Sequence, residues 1–200
     1  MAHDLPLVCR PGQKGIEMNY ATIKNRDIAN GPGVRVSLFV SGCTHRCKGC
    51  FNAVAWDFDY GQPFTQETVD SILEMLRPAF VKGITLLGGE PFEPQNQPAL
   101  VELLRQIKKT YPEKSIWAFS GYLFDRDILA GRLGDPEVTK EFVSYLDVLV
   151  DGPFVEEKKD LSLRFRGSAN QRIIDVPASL RQGEVILWQD WQGNGRGLKG

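Results

Sequence analysis

From residue 34 onward the chain alternates short β-branched runs with longer segments of helical period, and that alternation restricts the fold more than any other feature. Val34-Arg35-Val36-Ser37-Leu38-Phe39-Val40 reads as a strand launched from the turn Gly31-Pro32-Gly33. A helix is expected from Thr65, an N-cap residue with Glu67 in the first turn, with Val69, Ile72, Leu73, Leu76 and Phe80 recurring at helical spacing. Residues 83–87 form a second, buried-type strand that runs into Gly88-Gly89-Glu90-Pro91. The next helix starts near Pro98, with Leu100, Leu103, Leu104 and Ile107 on its apolar face. A third strand covers 115–119 and stops at Ser120-Gly121, and a third helix opens at Asp135-Pro136 with Val138, Phe142 and Val143. Residues 147–150 are a fourth strand ending at Asp151-Gly152-Pro153, 172–176 a fifth, and 184–188 a weaker sixth.

Strands separated by helical segments of this length argue for βαβ units and a mostly parallel sheet in an α/β fold. Such a sheet can stay open or curl toward a barrel, and periodicity leaves that choice open. In both cases ligands sit at the C-terminal ends of the strands. The segments after the four best-defined strands therefore fall on one face: residues 41–52, Gly88-Gly89-Glu90, Ser120-Gly121-Tyr122 and Asp151-Gly152.

Two hundred residues suit a single domain, and 24 Lys and Arg against 25 Asp and Glu leave a net charge of -1. Without a basic excess the chain does not look like a protein that grips nucleic acid by its phosphates. No apolar run approaches the roughly 20 residues that span a bilayer. The N-terminus lacks the basic-then-apolar plan of a signal peptide, so the expected location is the cytoplasm, where thiols stay reduced.

Three of the four cysteines crowd into Cys43-Thr-His-Arg-Cys47-Lys-Gly-Cys50, and Cys9 stands apart. Clustered thiols in a reducing compartment point to metal binding or redox chemistry. Three thiolates leave one position of a metal centre open, whereas a closed zinc site or an electron-transfer [4Fe–4S] cluster takes four protein ligands. The spacing alone leaves zinc and iron–sulfur both in play. A zinc site would need His45 or Cys9 as the fourth ligand, yet His45 sits between two thiolates, where the loop struggles to bring its ring round. His45 reads better as a loop residue bonded to backbone, and Cys9 as a structural or free thiol. Gly88-Gly89 removes two successive side chains at a strand end and bares the backbone to a close ligand, with the Glu90 carboxylate beside it for a cationic group.

With C-x3-C-x2-C after the first strand and Gly-Gly-Glu after the second, the chain resembles the radical S-adenosylmethionine (SAM) family. Within it the chain is similar to the activators of anaerobic ribonucleoside-triphosphate reductases. The matching stretches span roughly residues 18–176: residues 27–35, 39–52 and 61–65, Trp117 with Gly121-Tyr122, residues 148–154, and Arg166-Gly-Ser-Ala-Asn-Gln-Arg-Ile173. The cysteine loop marks only the superfamily, while Arg166–Arg172 is specific to these activators. The resemblance implies a single-domain partial (β/α) barrel of the radical SAM type. It implies a [4Fe–4S] cluster on Cys43, Cys47 and Cys50 whose unique iron takes the amino and carboxylate groups of SAM. Gly49 and Phe51, flanking Cys50, would lie against the adenine. Gly88, Gly89 and Glu90 would hold the methionyl amino group, and Ser120 and Asp151 would reach the carboxylate or ribose. The implied activity is reductive cleavage of SAM to methionine and a 5′-deoxyadenosyl radical, which places a glycyl radical on the large catalytic subunit of the reductase. The implied electron donor is a low-potential protein such as a flavodoxin.

Gly49 stands where the superfamily commonly has an aromatic residue, a feature the reductase activators share, and Ser120 replaces a more usual Thr but keeps the hydroxyl. Met18-Asn19-Tyr20 resembles the family's usual start, so residues 1–17 are expected to be an extension, 18–191 the radical SAM domain, and 192–200 a flexible tail. Trp56, Phe58 and Tyr60 read either as a partner-docking surface or as loop packing. Lys108-Lys109 and Glu156-Glu157-Lys158-Lys159 read as solvated faces. Arg164, Arg166 and Arg172 read as ligand contacts or structural ion pairs. The rivals are activation of another glycyl-radical enzyme such as pyruvate formate-lyase, chemistry on a small molecule, and a zinc-stabilised interaction domain.

Overall fold

A computed structural model of the protein describes residues 18–189. The expectations for the leader 1–17, for Cys9 and for the tail 192–200 lie outside the described residues. The strands are β1 (Asn19–Asp27), β2 (Val34–Val40), β3 (Gln62–Pro63), β4 (Val81–Gly88), β5 (Ser115–Phe119), β6 (Val148–Asp151) and β7 (Arg172–Asp175). The α-helices are α1 (Gln66–Leu76), α2 (Gln97–Thr110), α3 (Pro136–Tyr145) and α4 (Val176–Gln182).

All seven strands belong to one sheet in the order β3-β1-β2-β4-β5-β6-β7. β2, β4, β5 and β6 are parallel, joined by crossovers carrying α1, α2 and α3. β1 and β3 on one side and β7 on the other add antiparallel edges. The order does not close on itself, so the α/β class holds with a parallel centre, and the expectation of a mostly parallel sheet is met only there.

Local chemistry explains the helix starts. Thr65 N–H donates to Thr68 Oγ1 at the head of α1, Pro98 occupies the first turn of α2, and Asp135 Oδ1 accepts from Glu137 N–H ahead of α3. α1 ends before Pro78, which has no N–H to continue it, and Phe80 lies beyond the helix, exposed, rather than on its apolar face. The strand expected at 147–150 begins one residue later because the Asp147 carboxylate turns to accept from Ile116 N–H at 2.7 Å. The weak strand at 184–188 reduces to a single bridge between Leu187 and Ile174.

Alternate residues of the sheet serve two interiors. Val36, Leu38, Val40, Ile84, Leu86, Ile116, Ala118 and Leu149 pack against the helices in the main core. Trp117, Val148 and Val150 face the other way and gather Phe119, Phe165, Ile173 and Trp188. Arg35 is fully buried in β2 and donates to Thr85 Oγ1, Ser115 Oγ and the carbonyls of Ile84 and Ser115. Burial pulls its pKa down to about 10. Among the described residues no helix is long and apolar enough to cross a membrane.

Candidate functional site

The C-terminal ends of β2, β4, β5 and β6 stand at the same edge of the sheet, with Val40 opposite Gly88 and Phe119 opposite Val150. The segments that follow them enclose a cavity of about 370 Å³. Cys43, Cys47 and Cys50 line it from one loop; Gly88, Gly89 and Glu90 from the next; Ser120, Gly121 and Gly152 from the other two.

The cysteine loop is held by backbone on both sides. Gly42 N–H donates to Ala55 O at 2.9 Å and Cys43 N–H to Trp56 O at 3.2 Å, while Glu90 N–H donates to Gly42 O at 2.8 Å. Glu93, nearly fully buried, accepts from both the N–H and the hydroxyl of Thr44. At its far end the loop is tied by Lys48 to Glu156, 3.1 Å apart. Gly49 has φ +72 and sits against the Glu156 side chain, so it shapes this corner without lining the cavity. Phe51 borders the cavity and is 85% exposed at its mouth.

Gly88 and Gly89 form a cradle that no side chain could share. A Cβ on Gly88 would stand 2.7 Å from the Phe39 backbone, and one on Gly89 2.5 Å from Gly42 O. Gly88 therefore lets β4 lie close against β2, Gly89 lets the chain pass directly under the cysteine loop, and their backbone lines the cavity.

Glu90 is 1% exposed, and both of its carboxylate oxygens are engaged. Oε1 accepts from Phe92 N–H and Ser120 Oγ–H, and Oε2 from Gly121 N–H at 2.7 Å. His45 Nε2 lies 3.1 Å from Oε2. The His45 ring is tilted against Tyr122, 4.3 Å between centroids, and lies so close to Gly121 that a Cβ there would meet it at 2.5 Å. His45 thus bonds a buried carboxylate rather than backbone. Burial favours its neutral form, but the Glu90 hydrogen bond and charge outweigh that and hold its pKa above the ordinary value.

Asp151 sits elsewhere than the resemblance implied. It is fully buried and absent from the cavity wall. Its carboxylate accepts from Arg172 Nε at 2.9 Å, from the same guanidinium's second nitrogen, and from Phe124 N–H at 2.8 Å. Arg172 reaches on to Asp125, and the two carboxylates push its pKa upward against the opposing effect of burial. Arg172 is therefore an ion-pair residue, and its partner Asp151 braces the strand end from behind.

Residues 152–171 make the opposite wall, through Phe154, Leu163, Phe165, Arg166, Gly167 and Gln171. This wall ties itself together. Gln171 Oε1 accepts from the N–H groups of Gly167 and Ser168, its amide donates to Gly152 O, and Arg166 donates to Gln171 O. Phe58 packs on Gly42, Tyr60 is exposed, and Trp56 borders the cavity.

Residues 29–174 match the family model described as a 4Fe-4S single cluster domain. The chain is 42% identical over 158 residues to the anaerobic ribonucleoside-triphosphate reductase-activating protein of Vibrio cholerae, covering 78% of this chain and 97% of that one. It is 44% identical over 156 residues to the protein of that name from Escherichia coli (strain K12), covering 77% and 96%. The Enterobacteria phage T4 protein of the same name is 40% identical over 156 residues, covering 78% and 93%. The chain belongs to the anaerobic ribonucleoside-triphosphate reductase-activating protein family.

An iron–sulfur cluster, which the 4Fe-4S family model implies, suits the donors of this activating-protein family member. Three thiols and a bare Gly-Gly backbone share one cavity. Among the described residues no three His, Cys, Asp or Glu side chains converge as ligands of a single ion. A cubane asks for something different, because each thiolate holds its own iron. Burial, with the charges of Glu90 and Glu93 adding to it, pushes the Cys43 thiol up to about 12, so without a metal it keeps its proton. Sequence reasoning had His45 bonded to backbone, since its partner Glu90 lies 45 residues along the chain, and it gave no role to Asn30 or Gln171, which line the cavity.

Proposed function

We propose that the chain activates an anaerobic ribonucleoside-triphosphate reductase by placing a glycyl radical on its large catalytic subunit. The observation that carries this reading is the meeting of three thiols with the Gly88-Gly89 cradle in one cavity of about 370 Å³. Cys43, Cys47 and Cys50 would hold three irons of a [4Fe–4S] cluster and leave the fourth for the amino and carboxylate groups of SAM. Such a cluster, once reduced, would supply one electron for cleavage of SAM to methionine and a 5′-deoxyadenosyl radical, the chemistry by which a hydrogen atom would be taken from a glycine of the partner to give 5′-deoxyadenosine and the glycyl radical.

The chain's own residues bind, orient and exclude water. Gly88 and Gly89 bring bare backbone to the methionyl group. Glu90 fixes the Ser120–Gly121 turn and His45 around that group and offers its negative charge to the ammonium. Ser120 is held by Glu90 at one end of the cavity, and Phe51 borders the adenine end, with Gly49 shaping the loop that carries it. Asp151, with Arg172, supports the Gly152–Phe154 segment rather than touching the cofactor. Phe119, Phe154, Leu163 and Phe165 keep the interior apolar, which protects a radical from side reactions. The partner's glycine enters at the open mouth beside Phe51, the electron comes from a low-potential protein such as a flavodoxin, and the activation takes place in the cytoplasm.

The test is anaerobic. The chain is reconstituted with iron and sulfide, reduced, and examined by EPR with and without SAM, while 5′-deoxyadenosine is assayed. A [4Fe–4S]⁺ signal that changes on adding SAM, with 5′-deoxyadenosine formed, is expected. About one zinc per chain without acid-labile sulfide, or a cluster indifferent to SAM, would overturn the reading.

A further inference from the structure

A carboxylate offers about four lone-pair positions, and the Glu90 side chain has a donor for each. Phe92 N–H and Ser120 Oγ–H reach Oε1, while Gly121 N–H at 2.7 Å and His45 Nε2 at 3.1 Å reach Oε2. Three of these donors belong to Glu90's own loop or to the turn after β5. His45 alone comes from the loop that carries the thiols. Because a carboxylate only accepts, Nε2 is a ring nitrogen that holds a proton.

The imidazole is fixed on its other sides as well. Its centroid lies 4.3 Å from that of Tyr122, and a Cβ on Gly121 would meet the ring at 2.5 Å. Thr44, the residue before it, gives both its N–H and its hydroxyl to Glu93 Oε1, at 2.8 and 2.6 Å. Tyr122 Oη lies 3.4 Å from the same hydroxyl. One ring thus joins three of the segments that enclose the cavity: the cysteine loop, the Gly-Gly-Glu loop and the Ser120–Tyr122 turn.

We infer that His45 is a positioning residue that aims the Glu90 carboxylate at the amino group of SAM and so makes binding depend on that group. This rests on the SAM reading above. Glu90 is 1% exposed, so it acts on a ligand through the placement of its charge. The fourth donor secures that placement. Without it Oε2 keeps only Gly121 N–H, and the carboxylate is free to rotate toward its three remaining donors.

The experiment uses the cluster-loaded protein and three probes. SAM is compared with S-adenosylhomocysteine, which keeps the amino and carboxylate groups without the sulfonium charge, and with 5′-methylthioadenosine, which lacks both groups. His45→Leu keeps apolar bulk against Tyr122 and removes the donor, while His45→Gln restores an N–H at about the place of Nε2. In His45→Leu, iron and sulfide content should match wild type. By equilibrium dialysis its affinities for SAM and S-adenosylhomocysteine should fall about tenfold, and that for 5′-methylthioadenosine should stay within about twofold. His45→Gln should recover most of the loss. In a Glu90→Gln background, His45→Leu should cost little further SAM affinity, because it acts through that carboxylate.

A purely structural histidine would weaken all three probes together, in step with lost cluster, and that result overturns the inference. So does a His45→Gln protein no better than His45→Leu, or additive losses in the double variant. If His45→Leu assembles no cluster, His45→Asn replaces it. The shorter amide falls short of Oε2, so the same selective loss is expected, and an unchanged ratio of SAM to 5′-methylthioadenosine affinity overturns the inference. A wild-type protein that assembles no cluster, or whose cluster ignores SAM, would instead bring down the proposed function, and this inference with it.

Discussion

Replacing Arg172 with methionine isolates the charge that holds the end of β6. The Asp151 carboxylate is fully buried, with Arg172 supplying two of its three donors and Phe124 N–H the third. Arg172→Met keeps the side-chain stem and leaves a buried carboxylate with one neutral hydrogen bond. Breaking a buried pair this way costs about 3–5 kcal/mol, because the remaining charge has lost both water and partner. For a domain of this size each kcal/mol lowers the melting temperature by about 2–4 °C, so a fall of about 6–20 °C is expected. Anaerobic thermal unfolding at matched cluster loading measures it. Adding Asp151→Asn to Arg172→Met should recover most of the loss, since the amide carries no charge. A single variant within about 1 kcal/mol of wild type, or a double variant no better than the single, would refute the reasoning. SAM affinity should track stability, because Asp151 acts through the wall residues Gly152 and Phe154.

Cys43→Ala, Cys47→Ala and Cys50→Ala should each abolish SAM cleavage and the SAM-sensitive EPR signal, while Cys9→Ala leaves both near normal; a dead but folded Cys9→Ala protein would overturn the three-thiolate assignment. Gly89→Ala puts a Cβ within 2.5 Å of Gly42 O, so SAM binding measured by equilibrium titration should weaken at least tenfold, about 1.4 kcal/mol. Asp27 is stabilised as a carboxylate despite partial burial, which favours the neutral acid, because Ser37, the Ala29 N–H and Asn30 donate to it. Its folded pKa lies below the ordinary 3.8, so its contribution is present above about pH 4 and is lost as pH falls through the lowered value. Melting curves between about pH 5 and pH 3 should show an acid loss in wild type that is reduced in Asp27→Asn; equal slopes would sink this assignment.

The parts of the fold that could be read in advance are those specified by neighbours in the chain. Apolar periodicity marked α1, α2 and α3, and glycine, proline and capping residues marked where strands stop. β1 escaped because Asn19–Asp27 carries little continuous apolar sequence; half-buried at best, it owes its place to the antiparallel ladder with β2. β7 lies antiparallel to β6 because its chain returns through the wall segment 152–171, a route no local pattern encodes.

At the site the division is the same. Cysteine spacing and glycine pairs are local facts, and the rule that loops gather at strand C-termini brought them to one face. The partners of the charged groups are not local. Glu90 was read only as a carboxylate for a cationic group, and its hold on Ser120 and Gly121, about thirty residues away, and on His45 had no local sign. Asp151 was read as a cofactor contact, yet Arg172 claims it from an adjacent strand.

The sequence by itself determined the helix and strand segments of the parallel centre, the three-thiol loop and the glycine cradle, because each depends on residues within a turn or a strand of one another. Only the tertiary structure decided which carboxylates face the cavity and which are spent on the frame. A buried charge is stable only where donors converge on it, and that convergence exists only once distant strands lie side by side.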